Sequence, residues 1–181
     1  MTVPEARLEE TEHGLVPKGD GWYVVNARDV RWLYREGRGA VCHIEGDQDW
    51  PQFGANLYVL QPGEPMAMYH WEADQEGFFV LSGEALLIVE GEERPLKQWD
   101  YVHCPKGTNH VVVGAGSGPS AVLALGARID SIDNPSWGGY HVNETAQRHG
   151  ASSEEETTDP MVAYARFERR QFTRFRDEWL P

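Results

Sequence analysis

The sequence predicts an all-β domain, a sandwich or barrel of short strands. Short runs rich in Val, Leu, Ile, Tyr, Phe and Trp recur between residues 22 and 125. Turn-forming glycines and prolines separate them at regular intervals, the pattern of a sandwich or barrel. No helical apolar period interrupts this stretch, which argues against alternating strand–helix units.

Residues 1–21 read as a flexible acidic arm. Glu5, Glu9, Glu10 and Glu12 charge it, and Gly14, Pro17, Gly19 and Gly21 break it, as in a solvated terminus. A barrel over residues 22–130 follows. Its strands are expected at 22–25, 39–44, 55–60, 77–81, 84–90, 110–113 and 121–125. Pro62-Gly63, Ser82-Gly83, Gly91 to Glu93 and Pro105 to Gly107 supply turns, and the glycine-rich stretch 114–118 reads as a hairpin loop. That stretch lacks the helix start that would make it a phosphate cradle.

Residues 131–181 form a helical or irregular extension. Asn143 caps a short helix that Gly150 ends, Ser153 to Glu156 has capping-box spacing, and Asp159-Pro160 opens another helix. Arg166, Arg169, Arg170, Arg174 and Arg176 alternate with Phe167, Phe172 and Phe175. On an acidic chain this end is expected to pack on the barrel or on a second subunit.

Charge and composition narrow the function. Lys and Arg number 16 against 29 Asp and Glu, a net charge of −13. Nucleic-acid phosphates and anionic membrane surfaces are poor partners for such a chain. The start shows no basic flank with an apolar run, no stretch approaches a membrane span, and only Cys42 and Cys104 are cysteines. The expectation is a cytoplasmic protein. Neither Cys42 nor its neighbour His43 is expected to be catalytic.

Two segments carry closely spaced metal-ligand types. In 63–83, His70 and Glu72 stand two apart and share a strand face. Glu76 follows a turn and can return to the same cavity. In 99–110, Pro105-Lys-Gly107 makes a tight turn that delivers His110 to a strand start. Imidazoles with carboxylates suit Fe, Mn, Zn, Ni or Co. Alternation puts Met66 and Met68 on the His70 face and turns Tyr69 and Trp71 away, with Phe78 and Val80 beside Glu76. His103 reads as structural or pocket-lining, and His13, His141 and His149 as surface groups.

The two segments together resemble the paired motifs of the cupin superfamily. His70, Glu76 and Gly83 fit the first motif, and Pro105, Gly107 and His110 fit the second. The resemblance implies a double-stranded β-helix (jelly-roll) barrel and one divalent metal ion held by His70, Glu76 and His110. Four departures stand out. Six residues rather than five separate Gly63 from His70, Glu72 takes the slot of a second histidine, Trp99 that of a glycine, and Gly114 that of an asparagine. Glu72 is thus a fourth ligand, favouring harder ions, or a catalytic acid or base. The resemblance implies action on, or binding of, a small organic molecule. A metal-dependent oxygenase or isomerase is one form of this, and a ligand- or metal-binding module without turnover is the alternative. A homodimer is expected, because Tyr69, Trp71 and the Arg- and Phe-rich end need cover.

Overall fold

The computed structural model describes residues 2–48, 50–129 and 137–179. The chain order is β1 (Arg7–Thr11), β2 (Gly14–Lys18), β3 (Trp32–Tyr34), β4 (Ala40–Cys42), β5 (Phe53–Leu60), β6 (His70–Glu72) and β7 (Glu76–Ser82). Then come β8 (Glu84–Val89), β9 (Glu92–Lys97), β10 (Tyr101–Cys104), β11 (His110–Ala115), β12 (Ser120–Ala127) and β13 (Gly138–Tyr140). Helices α1 (Glu144–Arg148) and α2 (Pro160–Ala163) precede β14 (Gln171–Thr173).

Two antiparallel sheets build the barrel. The larger has the order β10-β7-β12-β5-β4-β3-β14, the smaller β13-β6-β11-β8-β9. The all-β fold therefore stands. The glycine-rich stretch 114–118 is not a hairpin loop: β11 belongs to the smaller sheet and β12 to the larger, so it carries the chain between sheets.

The facing sheets bury Leu60, Phe78, Val80, Leu87, Val112 and Val122 between them. These residues alternate with outward ones along their strands, as a half-buried sheet requires. Parts of the outer faces are covered as well. Trp179, from the C-terminal end, packs with Trp32 and Val59 outside the larger sheet. Ala146 and Ala151 cover Tyr69, Ile88 and Val111 outside the smaller one.

Several local expectations change. The acidic arm contains a hairpin, β1 paired with β2, with Val16 buried; its apolar residues find a surface that only the folded barrel offers. Residues 22–25 form no strand: Trp22 and Val24 are exposed. Strand β9 escaped the reading because Glu92-Glu-Arg-Pro-Leu-Lys97 shows no alternation, and Pro95 is tolerated because β9 is an edge. Asn143 caps α1 through its side chain, and Asp159 caps α2, as read. No helix follows Ser153, which is buried. The expected boundary between residues 130 and 131 involves residues outside those described.

Candidate metal centre

His70 opens β6 and His110 opens β11, and the two are direct partners in the antiparallel register. Cross-strand partners project from the same face, which brings their rings to 4.8 Å between centroids. Gly107, at φ +80°, closes the turn that sets His110 at its strand start; a left-handed position of this kind favours glycine. Glu76 opens β7 in the opposite sheet and faces both rings. One ligand atom each from His70, Glu76 and His110 all lie within 4.8 Å of one another.

The hydrogen bonds select the ring tautomers. His70 Nδ1 lies 2.7 Å from the Met68 carbonyl, and His110 Nδ1 lies 3.0 Å from the Thr108 carbonyl. A carbonyl only accepts, so each Nδ1 donates and each Nε2 is left to face the centre. His110 Nε2 lies 3.1 Å from Glu76 Oε2. Both atoms are buried, and neither makes a hydrogen bond. Buried polar atoms without partners are rare. Two that converge with a second imidazole fit a metal ion's donor set.

Glu72 sits at the margin. Its Oε1 lies 3.5 Å from His70 Nε2, but it is outside the convergent group of three and more exposed than Glu76. Burial works against charge on His70. The hydrogen bond that charged His70 donates to Glu72, the charges of Glu76 and Glu72 and the Met68 carbonyl outweigh burial and raise its pKa.

These groups open onto a cavity of about 750 Å³ lined by Tyr58, Met66, Phe78, Tyr140 and Tyr164 as well as Glu72. The expectation of a mainly apolar wall holds for Met66 and Phe78. Met68 instead packs with Tyr140 and Ala163, and Val80 belongs to the barrel core. At the far wall Arg128 clasps Glu45 through two contacts, of 2.7 and 3.2 Å. The three tyrosines escaped the sequence reading. Tyr140 and Tyr164 come from the extension, where nothing in the local pattern marks a cavity wall; alternation from Asn56 was the available signal for Tyr58.

Other candidates lie elsewhere. His103 is exposed on β10, paired with Gly77 on the outside of the barrel. Cys42 and Cys104 are free and buried, and burial pushes each thiol up to about 12. Neither is a nucleophile near neutral pH. Tyr69 faces away from the centre, as expected, and receives a hydrogen bond from the Gly91 N–H on its hydroxyl. Its cover comes from the chain's own extension.

Comparison with known proteins agrees with this architecture. Residues 56–126 match the family model for a cupin domain. An uncharacterised protein of Aquifex aeolicus is 34% identical over 85 residues, which span 46% of this chain and 69% of that protein. Among solved structures, a predicted oxalate decarboxylase of Thermotoga maritima superposes with a TM-score of 0.51 at 19% identity, over 58% of this chain and 98% of that one. A putative sugar phosphate isomerase of Acidithiobacillus ferrooxidans is 28% identical with a TM-score of 0.42, over 44% of this chain. This chain spans about half the length of that isomerase, 52%.

Proposed function

Since the chain belongs to the cupin superfamily, we propose that it binds one divalent metal ion through His70, Glu76 and His110 and acts on a small organic molecule in the barrel cavity. The observation that carries this reading is the pair of buried, unpartnered atoms, Glu76 Oε2 and His110 Nε2, facing each other beside His70. Fe, Mn, Zn, Ni and Co all suit such a donor set. A bound ion would polarise a substrate oxygen or activate water.

The chain's own residues supply the rest. The Met68 and Thr108 carbonyls hold the imidazoles in the ligating tautomer. Glu72 lines the cavity beside the centre, placed to exchange a proton with a molecule bound there, which makes it the candidate catalytic acid or base. A metal-dependent oxygenase or isomerase fits this arrangement. The alternative is a binding module without turnover. What favours it is that Glu72 is the acid–base group at the margin of the centre, while both cysteines are held as thiols.

Metal analysis of protein purified without added metal tests the reading. About one equivalent is expected in the wild type, and His110→Ala should lose most of it, since removing one of three ligands removes most of the chelation. Full occupancy in His110→Ala would sink the assignment.

A cytoplasmic setting is supported by the two unpaired thiols. A homodimer is supported by a face outside β7 and β10, where Trp99 is 66% and Tyr101 57% exposed. Each stacks within about 6 Å of Phe79, and β10 ends its sheet with an open edge.

A further inference from the structure

Behind one wall of the cavity stand two arginines. Arg38 comes from the turn before β4 and Arg170 from the residue before β14. The Arg38 guanidinium lies over the Tyr164 ring at 4.0 Å and 5.5 Å from the Phe167 ring. That of Arg170 lies 5.7 Å from the centre of the Tyr58 ring. Arg170 also donates to the Arg38 carbonyl and, at 3.4 Å, to the Met66 carbonyl. Tyr58, Met66 and Tyr164 all line the cavity. Both arginines therefore stand directly behind its wall.

What these two side chains lack is a counter-charge. Arg35, nearby in sequence, pairs with Glu168, whereas no carboxylate among the described residues pairs with Arg38 or Arg170. The Nε of each is buried without a hydrogen-bond partner. Burial lowers the Arg38 pKa, and the like charge of Arg170 lowers it further. Buried charge is costly unless paired. A chain of net charge −13 has carboxylates to spare, and among the described residues none pairs with these two side chains. The two guanidinia present forked donors suited to planar or tetrahedral oxyanions.

The path from this pair to the centre is short and continuous. Arg38 stacks on Tyr164, the Tyr164 ring lies 5.6 Å from Tyr140, and Tyr140 lies 5.8 Å from His70. At the Arg170 end, burial raises the Tyr58 pKa, so its hydroxyl stays protonated and available as a donor.

We propose that the cavity takes a small organic oxyanion, a carboxylate or phosphate monoester, whose charged group is drawn to the wall backed by Arg38 and Arg170 while its other end faces His70, Glu76 and His110. The inference rests on the reading of that triad as the metal centre. It makes Arg38 and Arg170 specificity-determining residues.

The test is calorimetric titration of the full chain, as purified, with succinate and with glycerol phosphate, and with succinamide and glycerol as their uncharged counterparts. At least one anion should bind and neither neutral compound should; which anion binds separates carboxylate from phosphate recognition. Arg38→Gln should weaken that anion about tenfold to a hundredfold, the loss of one of two uncompensated positive charges beside it. Its metal content should match the wild type, because Arg38 is not among the residues that would hold the ion. Arg170→Lys, which keeps the charge and loses the fork, should give an intermediate loss. Absence of binding by both anions, equal binding of the neutral compounds, or Arg38→Gln binding as tightly as wild type would each overturn the proposal. Metal content measured on the same samples separates the two readings. Metal without anion binding sinks only this one; anion binding through Arg38 without metal sinks only the metal centre.

Discussion

Asp47 is exposed, yet its carboxylate accepts hydrogen bonds from both Lys18 of β2 and Arg31. Those two bonds hold its pKa down at about 2, from an ordinary 3.8. The folded-state value lies below the unfolded one, so the contribution to stability is present above pH 3.8 and fades as pH falls toward about 2. Melting temperatures measured across that window should drop in the wild type. In Asp47→Asn this component of the drop should be missing; an identical acid profile would show that the contact does not hold the hairpin. Trp99 is the second residue of note. It holds φ +76°, a left-handed conformation that costs a non-glycine residue about 1–2 kcal/mol. It stands where the family motif has glycine, so the backbone bend of the motif is kept even though its usual residue is not.

Among the elements, β11 carries the most constraint. It pairs with β6 through His110 and with β8 along its whole length. Its far end must approach the turn before β6 closely. The Gly114 N–H donates to the Glu64 carbonyl at 2.9 Å, and its carbonyl accepts from Gly63 at 2.8 Å. A Cβ on Gly114 would sit 2.2 Å from the Gln61 carbonyl oxygen. That contact explains glycine where the family motif has asparagine: the backbone takes up the space of a side chain. Gly114→Ala should therefore cost about 1–3 kcal/mol through overpacking, read as a lower denaturant midpoint with an unchanged slope. An unaltered midpoint would mean that the 61–64 turn gives way freely.

At the scale of the molecule, the C-terminal segment is a structural part of the barrel. Strand β14 adds to β3 at the edge of the larger sheet. Trp179 stacks on Trp32 at 5.1 Å, and Trp32 is fully buried. Arg176 stacks on Tyr34 and Arg174 reaches Glu10. The Arg- and Phe-rich end therefore spends much of its aromatic surface and charge within its own chain, although Phe172 stays 45% exposed. It thus offers no free argument for pairing, and neither does Tyr69. The expected dimer is left to the aromatic face at Phe79, Trp99 and Tyr101. Light scattering on the intact chain should return a dimer mass. Removal of residues 167–181 should lower the melting temperature by several degrees or more, because uncovering a buried Trp costs about 3 kcal/mol or more. A truncated protein as stable as the full chain would contradict this role.

The spacing of His70, Glu76 and His110 was legible because ligands near turns and strand starts are set by local geometry. A two-residue period and one tight turn place them, and cross-strand pairing of β6 with β11 does the rest. The all-β class was legible for the same reason, since alternation and turn chemistry act over a few residues. Arg38, Arg170, Tyr140 and Tyr164 were not legible. They come from a turn before β4 and from the extension, far apart in sequence, and no local periodicity marks them as neighbours. The hairpin at residues 7–18 was hidden likewise, because its buried residues are few and their partner surface exists only once the barrel has formed. The sequence by itself determined the strand class and the triad's spacing. Tertiary structure alone decided that the extension walls the cavity and that Arg170 meets Arg38 behind it, because packing between distant segments depends on the shape of the folded surface and not on any local pattern.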